Sequence, residues 1–170
     1  DIITTDATAK LHGIPGESEL MGYGVSACAT CDGAFFRDVH VAVVGGGDSA
    51  MEEADFLTKF ASEVHMVVRR DEMRASKIMA ERAINHEKIT VHWNSVVEDV
   101  HDVEAGRVTG LTLKDTKTGE TRREDADGLF LAIGHKPNTD IFRDFLKTDE
   151  TGYLITEPGR AATSIPGVFA

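Results

Sequence analysis

A short valine-rich run, Val39 to Val44, ends in Gly45-Gly46-Gly47 and is followed by apolar residues at Met51, Ala54, Leu57 and Phe60. No other feature of the chain restricts its fold so tightly. The spacing predicts a strand, a tight turn and a helix over 39–60, because apolar positions recur every three or four residues once the glycines have passed. The hexapeptide Gly45-Gly46-Gly47-Asp48-Ser49-Ala50 fits G-x-G-x-x-A. Gly45 allows the turn, Gly47 leaves room for a pyrophosphate against the backbone, and the small Ala50 lets helix and strand approach closely. The helix N-terminus beyond it supplies an anion site. Such a hexapeptide alone is a weak signal, but here both flanks are right for a dinucleotide-binding turn.

The rest of the central sequence continues the alternation. Glu63 to Arg69 holds a second apolar run, Met73 to His86 has helical spacing at Ile78, Met79 and Ala83, and Ile89 to Trp93 is strand-like. A βαβαβ order of this kind forms a parallel sheet with right-handed crossovers. Val96 to Val103, Val108 to Asp115 and Thr121 to Asp125, with a turn at Lys117-Thr118-Gly119-Glu120, then read as an antiparallel meander, and Leu129 to Ile133 as a returning buried strand. The expected fold is α/β: a Rossmann-like, three-layer domain with a central parallel sheet and an antiparallel β-meander excursion. Leu11 to Gly22 and Gly134 to Thr139 are rich in glycine, proline and asparagine and read as connections. The expected division is therefore residues 1–11, a central domain over 12–139, and residues 140–170. Neither outer segment is long enough to bury a core of its own.

Three arginines decide which dinucleotide is expected. An acidic residue at the end of the second strand would bind a ribose 2′-hydroxyl and mark NAD. Here Arg69 and Arg70 stand in that place, with Arg74 shortly after. Guanidinium groups clamp a 2′-phosphate through charge-assisted, bidentate hydrogen bonds, so the expected cofactor is NADPH.

Cys28-Ala29-Thr30-Cys31-Asp32 holds the chain's two cysteines. A C-x-x-C pair in a chain without a secretory start points to reversible thiol–disulfide chemistry. Asp32 could move a proton to or from a thiolate if burial raises its pKa. No metal site is legible: there is no second cysteine pair, and His86 and His92 lie much further from Cys31 than a zinc finger allows. A net charge of −11 makes nucleic acid and anionic membrane surfaces poor partners. No apolar run approaches the roughly 18 residues of a membrane span, and Asp1 to Lys10 lacks a signal peptide's basic start and apolar centre. A cytoplasmic location is expected.

Cys28 to Gly33, Gly45 to Ala50, Arg69-Arg70 with Arg74, and Ala132-Ile133-Gly134-His135-Lys136-Pro137-Asn138-Thr139 occur in the order found in low-molecular-weight, bacterial-type thioredoxin reductases, which this chain resembles from about Leu11 to Ala170. The resemblance implies that Cys31 is the thiol nearer the flavin, that Cys28 attacks the disulfide of thioredoxin, and that Asp32 is the general acid and base. It maps Gly45, Gly46, Gly47, Asp48, Ser49 and Ala50 onto the pyrophosphate turn, the three arginines onto the 2′-phosphate clamp, and Ile133, Gly134 and His135 onto the cofactor edge. It further implies FAD held mostly by sequence outside this chain, a homodimer, and rotation of the central domain about Gly13 to Gly16 and Gly134 to Asn138. Residues 1–11 and 140–170 would be edges of the flavin domain. Such a chain would bind NADPH without turning over thioredoxin. Two departures stand out: Val68 replaces a histidine often found before the arginine pair, and Thr5-Asp6-Ala7 replaces a glycine-containing turn. Two other readings are kept. One is a flavoprotein that reduces a peroxidase partner, against which the Ala29-Thr30 spacer argues; the other is a non-catalytic NADPH-binding redox sensor.

Overall fold

Successive residues of a strand face opposite ways, and in the valine-rich run both faces are covered. Val41 and Val43 pack with Ala50, Met51, Ala54 and Leu57 of the following helix, whereas Ala42 and Val44 pack with Val97, Leu111 and Leu113 of the meander. The central sheet is thus the middle of three layers. Its strands read as continuous apolar runs because neither face meets water.

The computed structural model describes all 170 residues and divides them into two units, Leu11–Gly134 and a smaller one formed by Asp1–Lys10 with His135–Ala170. In the larger unit the elements are β2 (Val25–Ser26), α1 (Ala29–Asp32), β3 (His40–Val44), α2 (Asp48–Leu57), β4 (Glu63–Val67), α3 (Lys77–Ile84), β5 (Ile89–His92), β6 (Ser95–Val100), β7 (Leu111–Asp115), β8 (Thr121–Glu124) and β9 (Gly128–Leu131). The parallel sheet has the order β2-β9-β3-β4-β5, and β6-β7-β8 form the antiparallel meander. In the smaller unit β1 (Ala7–Ala9) pairs antiparallel with β10 (His135–Pro137). Leu146 is the buried aliphatic side chain there, while Ile2, Ile141 and Phe145 lie on the surface. No helix is long and apolar enough to cross a membrane.

Several boundaries differ from the periodicity, each for a local reason. The second helix starts at Lys77 rather than Met73, because the backbone N–H groups of Arg74 and Ala75 donate to the Gly46 carbonyl at 2.6 and 3.0 Å instead of entering the helix. Ile78, expected on the inner face, is consequently 79% exposed. His135–Pro137, expected with the central domain, pairs instead with Ala7–Ala9. Gly13 to Gly16, a hinge candidate on the sequence, is fastened inside the larger unit. The fully buried Glu17 carboxylate accepts from the His12 and Gly13 N–H groups at 3.0 and 2.7 Å, and Val100 N–H donates to the Pro15 carbonyl at 3.0 Å. Gly16 has φ +79° and its α-carbon faces Val100, so no side chain could stand there.

Glu53 on α2 is half-buried with Oε2 unpartnered, and burial pushes its carboxyl up to about 7. The folded state therefore holds a proton that the unfolded chain releases above the ordinary 4.5. Stability falls as pH rises from 4.5 to 7, and the full penalty persists above that window. Partial exposure screens it to roughly 1 kcal/mol. Urea titrations should find Glu53→Gln equal to the parent near pH 4.5 and more stable by that amount at pH 8; an equal gain at both pH values would reject the assignment.

Candidate functional site

Four parallel strands deliver the candidate residues to one edge of the sheet. β2 ends at Ser26, just before Cys28; β3 ends at Val44, before Gly45; β4 ends at Val67, before Arg69; β9 ends at Leu131, before Ile133. From β3 the chain moves outward through β4 to β5, while β9 lies on the other side of β3. Ligands of open α/β sheets bind where strand order reverses in this way, outside the carboxyl ends. A cleft of about 350 Å³ opens there, between Val44-Gly45-Gly46, Val67 to Arg70 with Arg74, and Ala132-Ile133.

Gly45 has φ +153°, and a Cβ on it would lie 2.5 Å from the Ala132 carbonyl oxygen and 2.8 Å from Ala50 Cβ. The turn is therefore tight against both β9 and the start of α2. Gly47 caps α2 with no side chain, and a Cβ there would meet nothing within 4 Å, so the backbone is open to an approaching group. The N–H groups of Asp48 and Ser49 have no acceptor in the protein, which leaves an α-helix start with its donors free. The Arg74 loop is fastened beside this turn by its two bonds to the Gly46 carbonyl. Asp48 Oδ1 accepts from Ser76 N–H at 2.8 Å and from its hydroxyl at 3.0 Å, which ties the starts of α2 and α3 together. Arg69, Arg70 and Arg74 are exposed and none pairs with a carboxylate. Three uncompensated guanidiniums at a cleft mouth suit a dianionic phosphate.

The structure brings Gly45, Gly46, Arg69, Arg70, Arg74 and Ile133 onto the cleft wall. Gly47, Asp48, Ser49 and the fully buried Ala50 form the turn and helix start behind it, whereas Gly134 and His135 lie outside the lining. Val68 is buried, and a Cβ on Gly46 would lie 3.3 Å from its Cγ1, so its role is to pack beneath the turn. His12, Glu72 and Ser95 also line the cleft. Sequence reasoning missed them because they come from a connection, a loop and the start of the meander, with no spacing that marks them.

Cys28 caps α1, and one helical turn brings Cys31 back over it with Cα atoms 5.3 Å apart, joined as a disulfide. Cys31 is exposed and Cys28 half-buried. The Cys31 N–H donates to Cys28 Sγ at 3.2 Å, a contact that would favour a thiolate on Cys28 after reduction. Half-buried Asp32 accepts a 2.6 Å hydrogen bond from the buried Ser26 hydroxyl, which itself accepts from the Cys28 N–H at 3.0 Å. Ser26 thus fixes both the aspartate and the first cysteine. It stands outside the C-x-x-C pattern, and only the end of β2 points to it.

A model of the pyridine nucleotide-disulphide oxidoreductase family matches residues 2–170. A thioredoxin reductase of Streptomyces clavuligerus is 52% identical over 169 residues, 99% of this chain and 52% of the relative. One of Neurospora crassa is 48% identical over 171 residues, 99% of this chain and 51% of the relative. The solved thioredoxin reductase from Streptococcus pyogenes MGAS5005 superposes with a TM-score of 0.88 at 44% identity, covering 99% of this chain and 55% of that one. The chain spans about half the length of the curated relatives it matches. With a glycine turn, an arginine cluster and a cysteine disulfide at one sheet edge, and a family match along nearly its whole length, the chain belongs to the pyridine nucleotide-disulphide oxidoreductases.

Proposed function

We propose that this chain is the NADPH-binding, redox-dithiol part of a thioredoxin reductase. The observation that carries the reading is the convergence of three unpaired guanidiniums with the glycine turn at the sheet edge that also bears Cys28 and Cys31. The free N–H groups of Asp48 and Ser49 would hold the pyrophosphate, and Arg69, Arg70 and Arg74 the adenosine 2′-phosphate. NADPH when bound supplies the reducing equivalents, which in this family pass to the disulfide by way of FAD. Gly134 and His135 are read as cofactor-binding, with FAD held mostly outside this chain.

The protein's own part lies at the dithiol. The reduced pair would attack the disulfide of thioredoxin through Cys28, forming a mixed disulfide that Cys31 resolves, so that one disulfide is exchanged for another. Asp32, held by Ser26, would carry the proton at the sulfur. The intact enzyme is read as a cytoplasmic homodimer whose flavin domain includes residues 1–11 and 140–170.

Calorimetric titration with NADPH and NADH tests the cofactor reading, with NADPH expected to bind at least tenfold more tightly; equal affinities would overturn it. After chemical reduction, the chain should transfer its electrons to oxidised thioredoxin stoichiometrically, yet show no NADPH-driven turnover. Cofactor binding without any thiol exchange would instead favour an NADPH-binding redox sensor.

A further inference from the structure

His40, His65 and His92 stand on the neighbouring strands β3, β4 and β5, at positions whose parity turns them to the meander side, as Ala42 and Val67 are turned. Glu124 reaches the same place from β8. None of these side chains lines the nucleotide cleft or touches the dithiol. His65 Nδ1 lies 3.0 Å from His92 Nε2, and the Glu124 carboxylate oxygens lie 3.6 Å from the first and 3.7 Å from the second. A tetrahedral ion with metal–nitrogen and metal–oxygen distances near 2.0–2.1 Å needs ligand atoms about 3.3 Å apart. The nitrogen pair is closer than that, and the two nitrogen–oxygen distances, which run to different oxygens of Glu124, are longer, so small side-chain rotations bring the donors to it. His65 itself is 6% exposed, and its second ring nitrogen, Nε2, is buried without a partner. Nδ1 faces His92 Nε2 at hydrogen-bond distance, and the single proton that the two nitrogens share is what an ion would replace.

We propose that His65 Nδ1, His92 Nε2 and the Glu124 carboxylate bind one divalent transition-metal ion, zinc fitting best, with water in the fourth position. Imidazole nitrogen and carboxylate oxygen are the donors such an ion takes. With Nδ1 on the metal, the His65 Nε2–H faces Glu63 Oε2 at 4.0 Å, a carboxylate already held by a 2.6 Å hydrogen bond from the Thr90 hydroxyl. At that distance the carboxylate makes no hydrogen bond to the ring and acts on it through charge alone. The alternative triple His40, Glu63 and His65 shares His65 but is looser, since its Glu63–His65 edge is already 4.0 Å. The ion would join the parallel sheet to β8 of the meander. One group opposes it: the exposed Arg122 guanidinium donates to His92 Nδ1 at 3.0 Å. Metal at Nε2 places the ring proton on Nδ1, so Arg122 must turn away.

The test uses the full chain with Cys28 and Cys31 oxidised, so that thiolates cannot contribute, titrated with zinc chloride by calorimetry and with cobalt chloride by visible absorption. One ion per chain is expected, with the intense bands of tetrahedral cobalt and a raised melting temperature. His92→Gln and Glu124→Gln, neither of them fully buried, should each weaken binding at least tenfold while keeping the parent's circular dichroism. Arg122→Gln should tighten it, and His86→Gln should leave it unchanged. Absence of binding, or parent affinity in folded His92→Gln, overturns the site and leaves the NADPH reading untouched.

Discussion

Replacing Arg69, Arg70 and Arg74 together by glutamine is expected to weaken NADPH binding at least 100-fold while shifting NADH by less than about threefold. A charge-assisted hydrogen bond contributes about 1.5–3 kcal/mol when buried. These side chains are exposed, so three of them together supply roughly 3 kcal/mol, which corresponds to about two decades of affinity. NADH lacks the 2′-phosphate and has nothing to lose at that position. The triple variant should fold as the parent does, because none of the three guanidiniums makes an ion pair within the protein. Isothermal titration with both cofactors measures the ratio. A parallel loss for both would mean that the arginines act on the shared pyrophosphate rather than on the extra phosphate.

Gly45→Ala should lower stability by roughly 3 kcal/mol and abolish cofactor binding. Part of that is backbone strain at φ +153°, about 1–3 kcal/mol for a residue with a side chain. The rest is overlap of the new methyl with the Ala132 carbonyl and with Ala50 Cβ, neither of which can retreat without moving β9 or α2. The melting temperature should fall on the order of 10 °C. Gly47→Ala is the matched comparison. Its φ of −97° suits any residue, and a methyl there meets nothing. It should melt with the parent but bind NADPH more weakly, since the methyl occupies the space left for the ligand. Equal melting temperatures for the two variants would show that Gly45 is not structurally required.

The layering and the glycine turn were legible because they rest on short-range patterns: the valine run, the helical spacing after the glycines, and the switch to alternation at Val96. The glycine-rich turn, the arginines and the cysteine pair could be placed from sequence because each lies just after a strand in a parallel sheet, and strand ends share one edge. What escaped depends on contacts between distant segments. The start of α3 moved by four residues because the Gly46 carbonyl competes for the N–H groups of Arg74 and Ala75. The buried Glu17 clasp turned a glycine-proline stretch that reads as a pivot into a fixed corner. Ser26, six residues before Asp32, and the histidines of three neighbouring strands carry no linear signature at all. Only strand register sets them side by side.

The loop that carries Arg74 is attached to the glycine turn by main-chain bonds and by the Asp48–Ser76 link, not by the arginine side chains themselves. Backbone placement and chemical identity are therefore separable there: residues 69, 70 and 74 can be exchanged as a set without disturbing the platform that presents them. On the NADPH reading proposed above, a shift from a phosphorylated to an unphosphorylated nucleotide would need new side chains alone, and coenzyme choice would be the most readily rewritten property of this domain.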